Sequence, residues 1–125
     1  TRNVRCKIMT NISIIKKDNN VIVEITGHAN YSESGKDIVC AGVSVLSYTL
    51  LNAITEEEEL CNCDILVSET NEKKGYFYLE FNYYNHASER IEVILNTIEL
   101  GYLSLQQCYP GYVDTNIEER SYINW

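Results

Sequence analysis

Cys40 and His28 are the two residues of this chain best suited to chemistry. His28 follows a predicted β-strand, and Asp37 is a good N-cap for a predicted helix in which Cys40 takes the third position. At that position the unpaired backbone N–H groups and the helix dipole stabilise an anion, which lowers the pKa of a thiol. A histidine near such a thiolate acts as its base, so the pair is a candidate for nucleophilic catalysis. The spacing alone leaves a purely structural cysteine as the alternative.

The remaining cysteines do not predict a second reactive centre. Cys6 alternates inward on the first predicted strand, and Cys108 ends the last predicted helix, so both are expected to be structural. Cys61-Asn62-Cys63 looks like half of a metal site, but structural zinc usually takes spacers of about two to four residues and a second pair of ligands. Common nucleotide, zinc-protease and calcium motifs are missing from the sequence. We therefore expect no metal and no cofactor.

The composition indicates an acidic globular domain. The chain has 125 residues, with 18 Asp and Glu against 10 Lys and Arg, and a formal net charge of −8. A chain of this length is expected to form a single domain over residues 1–125. Its charge repels phosphate groups, so binding to nucleic acid or to an anionic membrane is not expected. A basic partner would instead be attracted.

The cysteine count and the hydropathy pattern predict a cytoplasmic location. Five cysteines cannot all pair within one chain, and reduced thiols are typical of the cytosol. The segment Thr1–Asn11 is polar and shows no signal-peptide pattern. Uninterrupted apolar runs are only a few residues long, against about 20 residues for a membrane span.

Hydrophobic periodicity predicts a β-hairpin that leads into His28. The alternating segment Cys6–Ile14 indicates a half-buried strand, and Val21–Thr26 indicates its partner. Between them Lys16–Asn20 has the composition of a turn. The polar segment Ala29–Lys36 has no periodicity and is expected to be a loop. This arrangement brings His28 to the end of a strand.

The pattern changes to a helical one after Asp37. Apolar residues recur at three- and four-residue steps and form one predicted buried stripe, made of Val39, Val43, Leu46, Leu50 and Ile54. Glu56–Glu59 crowd the far end of this helix, where four carboxylates oppose the helix dipole. The helix is therefore expected to end there, with the carboxylates solvated.

The second half of the chain repeats the strand–strand–helix order. Ile65–Val67 indicates a strand, Asn71–Gly75 a turn, and Tyr76–Phe81 a further strand with alternate apolar residues. A second helix is predicted over Ala87–Gln107, followed by a tail with room for one short strand. The fold class predicted is α+β, a mostly antiparallel sheet of ββαββα order with two helices packed on it.

Three sequence blocks resemble the ribosomal-processing cysteine protease family, Prp. They are Gly27-His28-Ala29, then Gly35–Ala41, which reads GKDIVCA, then Val43-Ser44. The family pattern has a GHA triplet, a short variable loop with a glycine near its end, and a DIVCAxVS block. The GHA triplet and the DIVCA block together are specific for this family, although neither motif would be specific by itself. Gly42 departs from the pattern, because alanine is commoner there in the family.

The resemblance implies a cysteine endopeptidase that trims a ribosomal protein. Its substrate would be large-subunit ribosomal protein twenty-seven, from which the family removes a short N-terminal extension before ribosome assembly. Carried over by position, Cys40 would be the nucleophile and His28 the general base. The family also implies a homodimer.

The same resemblance implies supporting roles for further residues. Asp37 and Ser44 match supporting polar positions, and Gly27 and Gly35 match the glycines that flank a mobile loop, here a lid. Asp37 fits a helix cap better than a third catalytic residue. Ser44 lies one helical turn after Cys40, where its hydroxyl could orient the histidine or a water, or bond a backbone carbonyl.

A second class of function stays open at the level of sequence. The net charge of −8 also suits a non-catalytic, acidic assembly factor that binds a basic ribosomal protein. Such a factor would bind its partner without cleaving it.

Overall fold

The structure, a computed structural model, describes residues 9–27 and 38–120. Along the chain a β-hairpin is followed by a long helix, a second hairpin by a second long helix, and a final strand comes last. Their bounds are β1 Thr10–Lys17, β2 Asn20–Thr26, α1 Ile38–Glu59, β3 Cys63–Asn71, β4 Tyr76–Tyr83, α2 Ser88–Cys108 and β5 Val113–Arg120, with a short 3₁₀ turn at Asn85–Ala87 before α2.

The strands form one mixed sheet of order β3-β4-β2-β1-β5. The pairs β1–β2, β2–β4 and β3–β4 are antiparallel, whereas β1 and β5 are parallel. The α+β class and the mostly antiparallel sheet are confirmed, but the predicted ββαββα order is incomplete, because the chain adds β5 after α2. Apolar residues in β5 are sparse, mainly Val113 and Ile117. An edge strand needs few of them, so its pattern is weak.

The predicted first hairpin is present with a tighter turn. Ile12 and Ile14 are buried on one face of β1, as the alternation predicted. Lys17 pairs with Asn20, so the turn consists of Asp18 and Asn19 alone. Asp18 has a φ of 55°, a left-handed conformation that aspartate tolerates better than most residues. The predicted strand start at Cys6 lies outside the described residues.

Apolar residues of α1, α2 and the sheet pack together in one hydrophobic core. In α1 the buried apolar positions are Val39, Val43, Leu50 and Ile54, which confirms most of the predicted stripe. By length and composition alone, α1 could cross a membrane. Its buried stripe lies in the common core with the sheet and α2, as in a core helix.

The far end of α1 differs from the solvated end that we expected. Glu57 is only 5% exposed, and its carboxylate accepts two hydrogen bonds from Arg90 of α2, at 3.0 and 2.6 Å. Asn62 donates a third at 2.7 Å. The hydrogen bonds from Arg90 hold the pKa of Glu57 below its ordinary value. The expectation was wrong because the chain reverses after α1 and brings α2 alongside this carboxylate.

Candidate active site

One face of α1 opens onto a pocket of about 310 Å³. Cys40, Ser44 and Tyr48 follow each other at four-residue spacing on this face and all line the pocket. Cys40 is half-buried and Ser44 is exposed. Val43 and Ser47 of α1 also line the pocket. The other lining residues come from β1, from β2 and the residue after it, and from the β3–β4 hairpin: Thr10, Ile25, Gly27, Thr70, Glu72, Gly75, Tyr76 and Phe77. A nucleophile candidate therefore faces a cavity that could hold a ligand.

The end of β2 reaches the same pocket. Gly27 lines it and has a φ of +90°, and a Cβ at this position would lie 2.6 Å from the backbone oxygen of Met9. Only glycine fits this conformation and this close approach without strain. The Thr10 hydroxyl also donates to the Gly27 carbonyl at 3.5 Å. The residue that directly precedes His28 in the sequence is thus held in the pocket with Cys40.

Three of the predicted site residues, His28, Asp37 and Gly35, lie outside the described residues. Of the others, the structure brings Cys40, Ser44 and Gly27 together around one pocket. Their catalytic, supporting and hinge roles stay predictions.

A buried hydroxyl pair lies beside this pocket and was not identified from the sequence. Ser47 donates to the Val43 carbonyl at 2.7 Å, and its hydroxyl lies 2.8 Å from that of Tyr102 on α2. Burial raises the pKa of Tyr102 to about 12. Because Ser47 also lines the pocket, this pair joins the pocket wall to α2.

The wall opposite α1, formed by the β3–β4 hairpin, was also missed. Tyr48 donates to a carboxylate oxygen of Glu72 at 2.7 Å, and its ring meets that of Phe77 edge to face, with centroids 6.4 Å apart. This hydrogen bond raises the pKa of Tyr48 above its ordinary value. Tyr48 lies two helical turns after Cys40, and this spacing could have indicated that it shares the site. No sequence signal indicates Glu72.

The other described cysteines lie away from this pocket. Cys63 is buried and its thiol donates to the Ile54 carbonyl, and burial raises its pKa to about 11. Cys61 and Cys108 are exposed. Within residues 9–27 and 38–120, no three His, Cys, Asp or Glu side chains are grouped to hold a metal ion. Cys6 lies outside the described residues.

Comparisons with solved structures show the same fold in two bacterial proteins. The protein SMU.848 of Streptococcus mutans is 30% identical, with a TM-score of 0.68 over 91% of this chain and 97% of that one. The essential ribosomal processing protease Prp of S. aureus, solved with a covalently linked product peptide, is 24% identical. Its TM-score is 0.69 over 87% of this chain and 99% of that one.

Sequence comparisons give the family. The ribosomal processing cysteine protease Prp of Bacillus subtilis (strain 168) is 43% identical over 58 residues. That alignment spans 46% of this chain and 48% of the relative, so less than half of either. The family model described as Cysteine protease Prp matches residues 9–114, which is most of the chain. On this evidence the chain belongs to the Cysteine protease Prp family.

Proposed function

We propose that this protein is a cysteine endopeptidase that removes the N-terminal extension of large-subunit ribosomal protein twenty-seven. Cys40 is the proposed nucleophile and His28 the proposed general base. The observation that carries the proposal is the shared pocket of Cys40 and Gly27, the residue directly before His28, in a member of a cysteine protease family.

The proposed mechanism is acyl transfer through the thiol. His28 takes the thiol proton, and the Cys40 thiolate attacks the scissile carbonyl carbon. Backbone N–H groups at the start of the helix stabilise the negative oxygen of the tetrahedral intermediate. The C–N bond then breaks as His28 passes the proton to the leaving amine. Water, deprotonated by His28, hydrolyses the thioester and restores Cys40.

The pocket chemistry suits a peptide with an apolar side chain near the scissile bond. Ile25, Val43 and Phe77 supply apolar surface next to Cys40, and Ser44 supplies an exposed hydroxyl one turn away. A peptide buried against such surface gains hydrophobic binding energy that holds its carbonyl near the thiol. We propose that Ser44 and Asp37 support the reaction, and that the segment between Gly27 and Gly35 closes over the bound peptide.

The test is mass spectrometry of the full-length ribosomal protein after incubation with the enzyme. Wild type is expected to remove the extension, and Cys40→Ala and His28→Ala are expected to leave the substrate intact. Cys108→Ala serves as the matched control, because it removes an exposed thiol outside the pocket and should cleave like wild type. Cleavage by Cys40→Ala would overturn the proposal.

The alternative function is a non-catalytic acidic assembly factor, favoured by the net charge of −8. It predicts stable binding of the basic ribosomal protein with no mass change in any variant. Binding without cleavage by wild type would therefore select this alternative.

Oligomeric state and location form a separate part of the proposal. We expect a homodimer in the cytoplasm, as the family resemblance and the cysteine content predict. Sedimentation equilibrium of the purified chain tests the first expectation, and fractionation of cells tests the second.

A further inference from the structure

The pocket of Cys40 has one wall on a helix and another on a hairpin turn, and the side chain of Tyr48 connects them. Tyr48 extends from α1, and Glu72 begins the turn between β3 and β4. The hydroxyl of Tyr48 donates to the Glu72 carboxylate at 2.7 Å. Both residues and Cys40 line the same pocket, so this bond joins two walls of the pocket that holds the nucleophile candidate.

Tyr48 is held at both ends, which makes it a rigid connection. Its ring meets Phe77 at an interplanar angle of 89°, and Phe77 is buried at 6% exposure. Its hydroxyl donates to the Glu72 carboxylate at the other end of the side chain. A hydrogen bond to an ionised acceptor is stronger than one between neutral groups. The ring contact and the hydrogen bond together link α1 to the hairpin through the Tyr48 side chain.

The turn that Tyr48 contacts lies at an exposed end of the hairpin. β3 is an edge strand, with β4 as its one sheet neighbour. Residues 68–74 are all exposed, so little apolar burial holds this end of the hairpin. Within the hairpin, β3 pairs with β4 up to Asn71 and Tyr76, and the Lys74 and Gly75 N–H groups donate to the Asn71 and Glu72 carbonyls, each at 3.2 Å. These bonds order the hairpin but do not tie it to α1.

We propose that Tyr48 and Glu72 form a latch that fixes the hairpin wall of the pocket and so sets the affinity for the peptide substrate. The inference rests on the proposed function, since it assigns a positioning role in that same site. Neither residue takes part in bond making, so the latch acts on substrate binding rather than on the chemical step.

Kinetics of peptide cleavage test the latch. Tyr48→Phe keeps the ring on Phe77 but removes the donor, and is expected to raise KM about fivefold with kcat within about twofold of wild type. Glu72→Ala is expected to match it, and Glu72→Gln, which keeps an acceptor oxygen, to recover most of the loss. The double variant Tyr48→Phe/Glu72→Ala should be no worse than either single variant, because both remove the same bond.

Tyr84→Phe is the matched control. Tyr84 also donates to a carboxylate, that of Asp64, but at the other end of β4 and away from the pocket. It should leave KM and kcat unchanged. An unchanged KM in Tyr48→Phe, or an equal rise in Tyr84→Phe, would overturn the latch.

Backbone hydrogen exchange separates failure of the latch from failure of the proposed function. Exchange of the Lys74 and Gly75 amides is expected to speed up at least about threefold in Tyr48→Phe and to be unaffected in Tyr84→Phe. This readout does not need cleavage. If wild type cleaves nothing, the proposed function fails. The latch is refuted independently if exchange of the Lys74 and Gly75 amides is the same in Tyr48→Phe as in wild type.

Discussion

Gly101 of α2 faces Leu46 of α1 so closely that a Cβ on Gly101 would lie 2.6 Å from Leu46 Cδ2. The reverse contact is looser, because a Cβ on Gly42 of α1 would lie 3.0 Å from Leu105 Cδ2 of α2. The two glycines thus lie where the helices cross, and each receives a leucine from the other helix. In sequence, both appear only as helix-weakening residues.

Alanine at these two positions should change stability in opposite directions. Gly42→Ala gains about 1 kcal/mol of helix propensity, and Leu105 is half-buried and needs to move only slightly, so we expect a net gain of about 0.5 kcal/mol in the free energy of unfolding. Gly101→Ala gains the same ~1 kcal/mol of helix propensity, but its Cβ forces Leu46 out of place at a cost of about 2 kcal/mol, so we expect a net loss of about 1 kcal/mol. Urea denaturation measures both. In a Leu46→Ala background the loss from Gly101→Ala should disappear; if it persists, the contact is not its cause.

Gly27→Ala and Gly111→Ala separate backbone strain from steric contact. Both glycines have a positive φ, +90° at Gly27 and +92° at Gly111, but a Cβ at Gly111 would meet nothing within 4 Å. Gly111→Ala is expected to cost about 1 kcal/mol from strain alone. Gly27→Ala must also displace the Met9 carbonyl, so we expect about 3 kcal/mol and a loss of cleavage. If urea denaturation gives the two variants equal losses in the free energy of unfolding, the contact with the Met9 carbonyl has no effect and this prediction is wrong.

Glu57→Gln tests the ion pair with Arg90. Removing the buried charge weakens three hydrogen bonds, so we expect a loss of about 2 kcal/mol at pH 7. Glu59→Gln, at an exposed position of the same acidic run, should change the free energy of unfolding by under about 0.5 kcal/mol.

The pH dependence of this pair follows from the lowered pKa of Glu57. A carboxylate with a folded-state pKa below its ordinary value of 4.5 stabilises the fold fully above pH 4.5, and this contribution is lost as the pH falls through the folded value. The difference between wild type and Glu57→Gln should therefore shrink below about pH 4.5. A constant difference down to pH 3 would rule out the charge as the cause.

The Ser47–Tyr102 pair should respond asymmetrically to truncation. Ser47→Ala leaves the Tyr102 hydroxyl buried without this partner, and we expect a cost of about 2 kcal/mol. Tyr102→Phe costs about 1 kcal/mol, because Ser47 still donates to the Val43 carbonyl. The double variant should lose less than the sum. Thermal or urea unfolding gives all three values, and simple additivity would be inconsistent with a direct bond.

Alkaline pH should destabilise the fold through two buried groups. The Cys63 pKa is raised from 9.0 to about 11, and the Tyr102 pKa from 10.0 to about 12. Each contribution is complete below the lower value and is lost as the pH rises through the upper one. The Tm should fall from about pH 9 upward. Cys63→Ala should remove the part of the fall in Tm that begins near pH 9, and Tyr102→Phe the part that begins near pH 10. Measuring the Tm of each variant as a function of pH tests this.

Elements with strong local periodicity could be predicted from the sequence. The alternation that buries Ile12 and Ile14, and the helical stripe through Val39 and Ile54, reflect burial of one face of a single element. The match of Gly27-His28-Ala29 and the block around Cys40 to the family also depends on short segments. Such features are encoded within about 20 residues, so no knowledge of the packing is needed.

Contacts between distant segments were decided by the tertiary structure alone. Strand β5 is mostly polar and becomes a strand because β1 offers it a parallel edge. Glu57 is buried because Arg90 arrives beside it, and Glu72 becomes part of the pocket because the β3–β4 turn folds against Tyr48. In each case the partner lies far away in the sequence, and only packing of the helices and the sheet determines which side chains meet.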